Sequence, residues 1–166
     1  MSAIDEVVQA NAAYAAQFAW GDLSAPPTRR LIVLACMDAR IVVSQILGLK
    51  PGEAHVLRNA GGIVTEDVLR SLLISHYLLG TREFMIIAHT DCGMMTFTDD
   101  DLFRRLRQET GTAVVAPARF FAFRDLEENV REQVQKVRAH PWVPAALLVR
   151  GFIYDVKTGR LREVSA

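Results

Sequence analysis

An α/β fold with a mainly parallel central sheet is predicted for this chain of 166 residues. Short apolar segments of strand type alternate with amphipathic segments of helical spacing, and this alternation is typical of a parallel sheet flanked by helices. Near the C-terminus, a turn at Lys157-Thr158-Gly159 joins two further strand segments and adds an antiparallel strand at the edge of the sheet. We therefore expect a single domain over residues 1–166, in which residues 1–25 form an N-terminal helical arm.

Two kinds of periodicity place the individual elements. Helical spacing, ended in several cases by glycine or proline, predicts helices at about 4–18, 41–49, 65–79, 98–109 and 124–140. Strand-type composition predicts strands at 31–36, 54–57, 84–88, 146–155 and 161–164. The strand at 84–88 has the composition of a buried parallel strand. Residues 110–122 show no clear pattern.

Composition and charge exclude several classes of function. The formal net charge is +0 and no run of lysine or arginine is present, so we expect neither nucleic-acid nor membrane binding. The longest apolar runs fall short of the ~18 residues that a membrane span needs. The N-terminus is acidic and lacks the apolar core of a signal peptide, so we expect a cytoplasmic protein. Its two cysteines are then expected as thiols or metal ligands rather than as a disulfide.

The residues with the most distinctive chemistry follow two predicted strands. His89 and Cys92 stand directly after the strand at 84–88, and Cys36 ends the strand at 31–36. Ligands of open α/β sheets bind at the carboxyl ends of the strands, so these three side chains are expected to meet there. Two thiolates and one imidazole suit zinc, with a fourth position left for a water molecule whose pKa the ion lowers to about 7. We predict one zinc ion per chain at this place.

Asp38 and Arg40 follow Cys36 at alternate positions, which would put all three on one side of an extended chain. Asp38 can then accept a hydrogen bond from hydroxide on the metal, and Arg40 can hold Asp38 in a bidentate ion pair. Because zinc also accepts oxygen ligands, Asp38 could instead bind the ion and close the site, with rising pH favouring hydroxide. Both an open site and a site closed by Asp38 are compatible with these residues.

Three motifs in this order resemble the β-class carbonic anhydrases, in particular their compact bacterial subgroup. They are Cys36-x-Asp38-x-Arg40, Arg58-Asn59-Ala60-Gly61 and His89-x-x-Cys92-Gly93. The resemblance covers residues 31–97 densely. It implies zinc bound by the two cysteines and the histidine, and an aspartate–arginine pair that serves the metal-bound water.

The resemblance also implies an activity and an assembly. The family reaction is the reversible hydration of carbon dioxide to bicarbonate and a proton, by attack of zinc-bound hydroxide. Family members are dimers or multiples of dimers. We expect the apolar face of the N-terminal helix to pack on a partner subunit, which would make the protein at least a homodimer.

Some motif positions differ from forms that are common in the family. Met37 and Ala39 flank Asp38 where serine is frequent, and Gly62 stands where asparagine is frequent. These differences spare the metal ligands but affect the surroundings of the substrate. A zinc hydrolase of a related heteroallene such as carbon disulfide therefore remains an alternative. A non-catalytic zinc- or thiol-binding protein is a third hypothesis, disfavoured by the presence of both Asp38 and Arg40.

Each candidate residue also has a purely structural explanation. Isolated thiols such as Cys36 and Cys92 are most often buried core residues, and His89 could be a structural histidine at a strand end. Asp38 and Arg40 could form a loop ion pair. Asp91 is expected as a turn residue, and the glycine-rich motif that begins at Arg58 as structural support. Only the joint placement of both cysteines and the histidine at strand ends favours a metal site.

Overall fold

The computed structural model describes residues 1–113 and 117–166. The helices are α1 (Ala3–Ala16), α2 (Val43–Leu47), α3 (Glu66–Leu79), α4 (Asp99–Thr110) and α5 (Leu126–Arg138), with short 3-10 turns at Ala60–Gly62 and Gly93–Met95. The strands are β1 (Leu31–Cys36), β2 (Ala54–Asn59), β3 (Glu83–His89), β4 (Leu148–Tyr154) and β5 (Leu161–Val164). They form one sheet in the order β2-β1-β3-β4-β5, parallel except for the antiparallel pair β4–β5. The predicted α/β fold is confirmed.

The register of the sheet aligns the ends of its central strands. β1 lies between β2 and β3, with Ala35 opposite Ile87 and Cys36 opposite Asn59. β3 continues two residues beyond Ile87, to His89. The loops that follow β1 and β3 therefore leave the sheet side by side at one edge.

Alternate residues of β1 pack on opposite faces of the sheet. Ile32 and Leu34 join Leu72 of α3 and Val134 of α5 in one apolar cluster. Val33 and Ala35 join the second cluster, on the side of α2 and the 3-10 turn after β3. Burial on both faces explains the uninterrupted apolar run of this strand. Each fully buried Ile or Leu side chain stabilises the fold by about 1.5–3 kcal/mol.

Local capping determines where several helices begin and end. The Thr65 hydroxyl accepts a hydrogen bond from the Val68 N–H at the start of α3, and Gly80 ends α3 with φ 77. Thr98 caps α4 and forms a reciprocal capping box with Asp101. The acidic run at the start of α4 is thus a helix cap, as expected.

Asp99, in the same acidic run, binds a distant part of the chain. Its carboxylate accepts hydrogen bonds from the backbone N–H groups of Phe120, Phe121 and Ala122, at 2.9, 3.2 and 2.9 Å. In the region without a sequence pattern, 110–122, residues 111–113 and 117–122 form neither helix nor strand, and 114–116 lie outside the described residues. The contact with Asp99 joins residues 21–23 positions apart, which explains why no local pattern predicted it.

Most predicted boundaries differ from those of the structure by one or two residues, and the differences at α2 and β2 have a clear physical reason. α2 spans five residues rather than the predicted 41–49, and it ends at Gly48 in the left-handed region. β2 extends two residues further than predicted, to Asn59, because its pairing with β1 continues to Cys36. The extension carries Arg58 to the same edge of the sheet as Cys36.

Every residue of α1 is exposed to solvent. The exposed side chains include Ile4, Val7, Val8 and Tyr14, with 57–72% of their surface accessible. The helix begins with a capping box between Ser2 and Asp5, which provides partners for N–H groups at its N-terminal end. Among the helices of the described residues, none is long and apolar enough to cross a bilayer.

Candidate metal centre

Cys36, His89 and Cys92 converge at the carboxyl edge of the sheet. Cys36 ends β1, His89 ends β3, and the turn after β3 returns Cys92 toward them. The ligand atoms of the three side chains all lie within 4.8 Å of one another, and all three residues are buried. Tetrahedral zinc, with Zn–S near 2.3 Å and Zn–N near 2.0 Å, would hold such atoms about 3.5–3.8 Å apart. The spacing therefore fits a single zinc ion.

The imidazole of His89 is oriented as a metal ligand. Its Nδ1 lies 2.9 Å from the carbonyl oxygen of Thr90, an acceptor, so Nδ1 carries the hydrogen and donates it. Nε2 is then left with a lone pair, and it is buried with no hydrogen-bond partner in the described part of the chain. A buried polar atom without a partner costs about 1–3 kcal/mol. A cation among the three side chains would satisfy it.

The proximity of the two thiols shifts their pKa values in opposite directions. A hydrogen bond from the Cys92 thiol lowers the pKa of Cys36, and the same interaction raises the pKa of Cys92. One thiolate is thus favoured and the second is disfavoured. A dication held by Cys36 and Cys92 would remove this conflict, because it would bind both sulfurs as thiolates. The donor set therefore has the chemistry of a zinc site.

Asp38 and Arg40 form the expected ion pair, but through a turn and not along an extended chain. The Ile41 N–H donates to the Asp38 carbonyl, and the Arg40 N–H donates to Asp38 Oδ1 at 2.9 Å. This turn brings the guanidinium back onto the carboxylate, with Nε 2.9 Å from Oδ1 and Nη2 2.8 Å from Oδ2. The prediction of an extended chain from Cys36 to Arg40 was wrong. The Asp38 carboxylate accepts a hydrogen bond from the Arg40 N–H and stabilises a turn there.

Asp38 lies beside the cluster as an ionised carboxylate. Its Oδ2 is 3.8 Å from Nε2 of His89. Hydrogen bonds from the side chain and backbone of Arg40 hold the pKa of Asp38 well below its usual range, against a smaller opposing effect of burial. The carboxylate is therefore a hydrogen-bond acceptor at neutral pH.

Asp91 makes a contact that sequence reasoning missed. The residue lies in the turn between His89 and Cys92 with φ 55, which agrees with its expected place in a turn. Its side chain also accepts a hydrogen bond from Nη1 of Arg40 at 2.7 Å, and its carbonyl accepts one from Nη2 at 3.0 Å. These atoms belong to residues 51 positions apart, so no local pattern could have predicted the contact.

Arg58 supports the loop after β1 from the neighbouring strand. Its Nε donates to the carbonyl of Cys36 at 3.0 Å, and its Nη2 donates to the carbonyl of Asp38 at 2.6 Å. Gly62, at the end of the same motif, has φ 65, and a Cβ there would lie 3.1 Å from the Ile87 carbonyl oxygen. The motif therefore packs against the backbone of both ligand-bearing strands, which supports the structural role expected for it.

Comparisons with known proteins agree on one family. The family model described as carbonic anhydrase matches residues 31–161. Beta-carbonic anhydrase 1 of Mycobacterium tuberculosis is 46% identical over 165 residues, covering 99% of both chains. The crystal structure of carbonic anhydrase from Streptococcus mutans superposes with a TM-score of 0.94 at 42% identity, covering 99% of both chains. A carbon disulfide hydrolase of Acidianus sp. is 36% identical over 83% of this chain and 78% of its own length.

The match extends over nearly the whole chain and includes all three motifs of the candidate metal centre. The fold, the order of the motifs and the geometry of the ligand group thus all indicate the same family. The chain belongs to the β-class carbonic anhydrases, a family of zinc enzymes.

Proposed function

We propose that this protein hydrates carbon dioxide reversibly to bicarbonate and a proton, with zinc held by Cys36, His89 and Cys92. The observation that supports this assignment best is the buried Nε2 of His89, which has no hydrogen-bond partner among the described residues and lies within 4.8 Å of two thiols. The bound metal supplies Lewis acidity that generates a nucleophile from water near neutral pH.

Asp38 is the residue that we assign to orientation of the reacting water. It is ionised, lies at the rim of the ligand group and has oxygen atoms that accept hydrogen bonds. An acceptor in this position holds the O–H bond of the water toward itself and thereby directs a lone pair toward the carbon of the substrate. Such positioning lowers the barrier by restricting the reactants to a productive geometry.

Arg40 holds Asp38 in this orientation. Its backbone N–H and Nε share Oδ1, and its Nη2 binds Oδ2, so both carboxylate oxygens are engaged by one residue. Each of these bonds would weaken if Asp38 rotated toward the metal ligands. The pair therefore favours a site whose fourth position is open to water over a site closed by Asp38.

Hydrolysis of carbon disulfide is a second candidate because four curated carbon disulfide hydrolases are 33–36% identical to this chain. Carbon dioxide and carbon disulfide are linear heteroallenes that the same nucleophile can attack. The greater identity to beta-carbonic anhydrase 1 and its coverage of 99% of both chains favour carbon dioxide.

Stopped-flow assays of both substrates on one preparation of known zinc content test the proposal. We expect carbon dioxide hydration to exceed the uncatalysed rate in proportion to bound zinc, and to be lost after chelation. Zinc-loaded protein that turns over carbon disulfide but not carbon dioxide would assign the chain to the second activity. Zinc-loaded protein inactive on both would leave only a binding role.

We also propose that residues 1–25 act as an arm that packs on a second copy of the chain. α1 exposes Ile4, Val7 and Val8 along one side together with Tyr14, whereas Asp5, Glu6 and Gln9 lie on the opposite side. An amphipathic helix that buries none of its apolar face within its own chain is stabilised by burying it elsewhere. The smallest assembly in which each chain can cover the apolar face of the other chain's arm is a homodimer.

A reducing location such as the cytoplasm suits this metal centre. Cys36 and Cys92 are both free, and their sulfur atoms lie within 4.8 Å of each other. Oxidation to a disulfide would remove two of the three ligands, so the proposed activity depends on a compartment that keeps thiols reduced. Fractionation of cells that produce the protein would test this location.

A further inference from the structure

We infer that Asp91 is a positioning residue for Arg40, and that it acts on catalysis by keeping Arg40 aligned with Asp38. The inference rests on the proposed hydration activity, because it assigns a function to Asp91 through that pair. Asp91 lies between two metal ligands, but its side chain is directed at the arginine of the neighbouring loop.

The guanidinium of Arg40 is held on two sides. Nε and Nη2 face the carboxylate of Asp38 at 2.9 and 2.8 Å. Nη1 faces the Asp91 carboxylate at 2.7 Å, and Nη2 also faces the Asp91 carbonyl at 3.0 Å. A planar group with donors in fixed directions cannot rotate while both sides are bound. Asp91 therefore removes the freedom that a single ion pair would leave.

The backbone of Asp91 explains how one residue supplies two acceptors. With φ 55, it lies in the left-handed region, which aspartate and asparagine adopt more readily than most residues. In this turn the carboxylate and the carbonyl of the same residue both reach the guanidinium. The loop after β3 thus contacts the loop after β1 across the metal centre, and the contact joins the turn between His89 and Cys92 to the Asp38–Arg40 pair.

The exposure of this contact predicts which property it controls. The side chains of Arg40 and Asp91 are 46% and 70% exposed. Exposed ion pairs contribute little to the stability of a fold, so losing the side-chain contact of Asp91 should by itself leave the unfolding midpoint nearly unchanged, and a lower midpoint in Asp91→Ala would report the cost of alanine in the left-handed region. Catalysis is more sensitive, because a misplacement of about 1 Å can lower a rate ~100-fold. The expected effect is therefore on kcat and not on stability.

Two substitutions separate this role from the conformation of the turn. Asp91→Ala removes the side-chain acceptor. Asp91→Asn keeps an acceptor oxygen and the tolerance for the left-handed region. Asp67→Ala serves as the matched control, because Asp67 forms an ion pair of similar exposure with Arg70 on α3. Zinc content, the unfolding midpoint, and kcat and KM for carbon dioxide are measured for each variant and for the wild type.

We expect Asp91→Ala to keep its zinc and its KM while kcat falls about 10- to 100-fold. Asp91→Asn should recover most of that loss, and Asp67→Ala should match the wild type. Asp91→Ala combined with Arg40→Ala should be no slower than Arg40→Ala alone, because Asp91 acts only through Arg40.

A nuclear magnetic resonance measurement tests the contact independently of turnover. The Nε–H signal of Arg40, assigned by its absence in Arg40→Ala, should be protected from exchange in the wild type and in Asp91→Asn. In Asp91→Ala it should broaden or exchange at least 10-fold faster. Because this readout does not involve the substrate, it remains informative even if the wild type proves inactive on carbon dioxide and the proposed function fails.

Three results would overturn the inference. The first is a wild-type kcat in Asp91→Ala. The second is an Arg40 signal with unchanged exchange in that variant. The third is loss of zinc from both Asp91→Ala and Asp91→Asn, which would show that Asp91 maintains the ligand-bearing turn and does not act through Arg40.

Discussion

The carboxyl edge of the sheet and the N-terminal helix α1 differ in the burial of their side chains. At the edge of the sheet, Cys36, His89 and Cys92 are buried by the chain that carries them. In α1, every residue is exposed, including large apolar ones. The ligand group is thus buried within a single chain, while the apolar side of α1 is left uncovered by residues 1–113 and 117–166.

The two proposed properties, metal binding and dimer formation, therefore have different physical origins. The candidate metal centre is built on the ends of β1 and β3, and each of these strands has a neighbouring strand on both sides. It should therefore form in a single chain. The arm depends on a surface of a second chain, so its stabilisation depends on protein concentration. Substitutions in the two regions should consequently change different measurements.

The largest effect is expected from removal of a metal ligand. Cys92→Ser replaces a thiolate by a hydroxyl, which is a poor zinc ligand at neutral pH. We expect the variant to lose most of its zinc and to hydrate carbon dioxide at the uncatalysed rate. Zinc per chain is measured by elemental mass spectrometry after desalting, with His140→Asn as a histidine control outside the cluster. Full zinc occupancy in both Cys92→Ser and Cys36→Ser would contradict the ligand assignment.

A smaller loss is expected when the ligands stay and the neighbouring pair is broken. Arg40→Ala and Asp38→Ala should each retain zinc and fold while hydration per bound zinc falls about 100-fold, because the water is no longer oriented. The measurement is a stopped-flow rate at several pH values, with Arg70→Ala as the control. Wild-type rates from Arg40→Ala at every pH would show that the pair is only a loop ion pair.

Substitutions in the arm should change the assembly of the protein and not its metal content. Val7→Asp places a charge on the apolar side of α1, and we expect the dimer dissociation constant to rise by about 30-fold or more. Gln9→Asp adds the same charge on the opposite, polar side and should leave the constant unchanged. Light scattering across a dilution series measures both. A wild-type chain that remains a fully active monomer would refute the proposed homodimer.

The last prediction is measured as stability and not as activity or assembly, and it concerns packing behind the candidate metal centre. In Gly62→Ala, the new Cβ would lie 3.1 Å from the Ile87 carbonyl oxygen and 3.2 Å from the Cys36 nitrogen, both backbone atoms of ligand-bearing strands. Gly80→Ala is the matched control, since Gly80 also has a positive φ but a Cβ there would meet no atom of the described residues within 4 Å. Both should lose about 1–2 kcal/mol from backbone strain, and Gly62→Ala about 1–3 kcal/mol more from overpacking. Equal losses of unfolding free energy in Gly62→Ala and Gly80→Ala, measured by denaturant titration, would contradict the expected overpacking at Gly62.

Sequence reasoning succeeded where the physical signal is local. The bounds of β1 and β5 are those predicted, and α3 ends at Gly80 as expected. Hydrophobic periodicity and capping depend on residues within a few positions of one another, so they can be recognised in a single sequence. The three candidate ligands could be grouped for a related reason, because the carboxyl ends of adjacent parallel strands meet at one edge.

The contacts around the metal ligands depended on tertiary structure. Arg58 binds carbonyl groups 20 and 22 positions away, and Arg40 binds Asp91 across 51 positions. The turn that folds Arg40 back onto Asp38 also differs from the extended chain that the alternation of residues suggested. Each contact depends on the order of the strands and on the direction in which a loop leaves the sheet. Residue type and spacing carry the chemistry of the ligands, whereas the directions of the donors around them arise only when distant segments pack together.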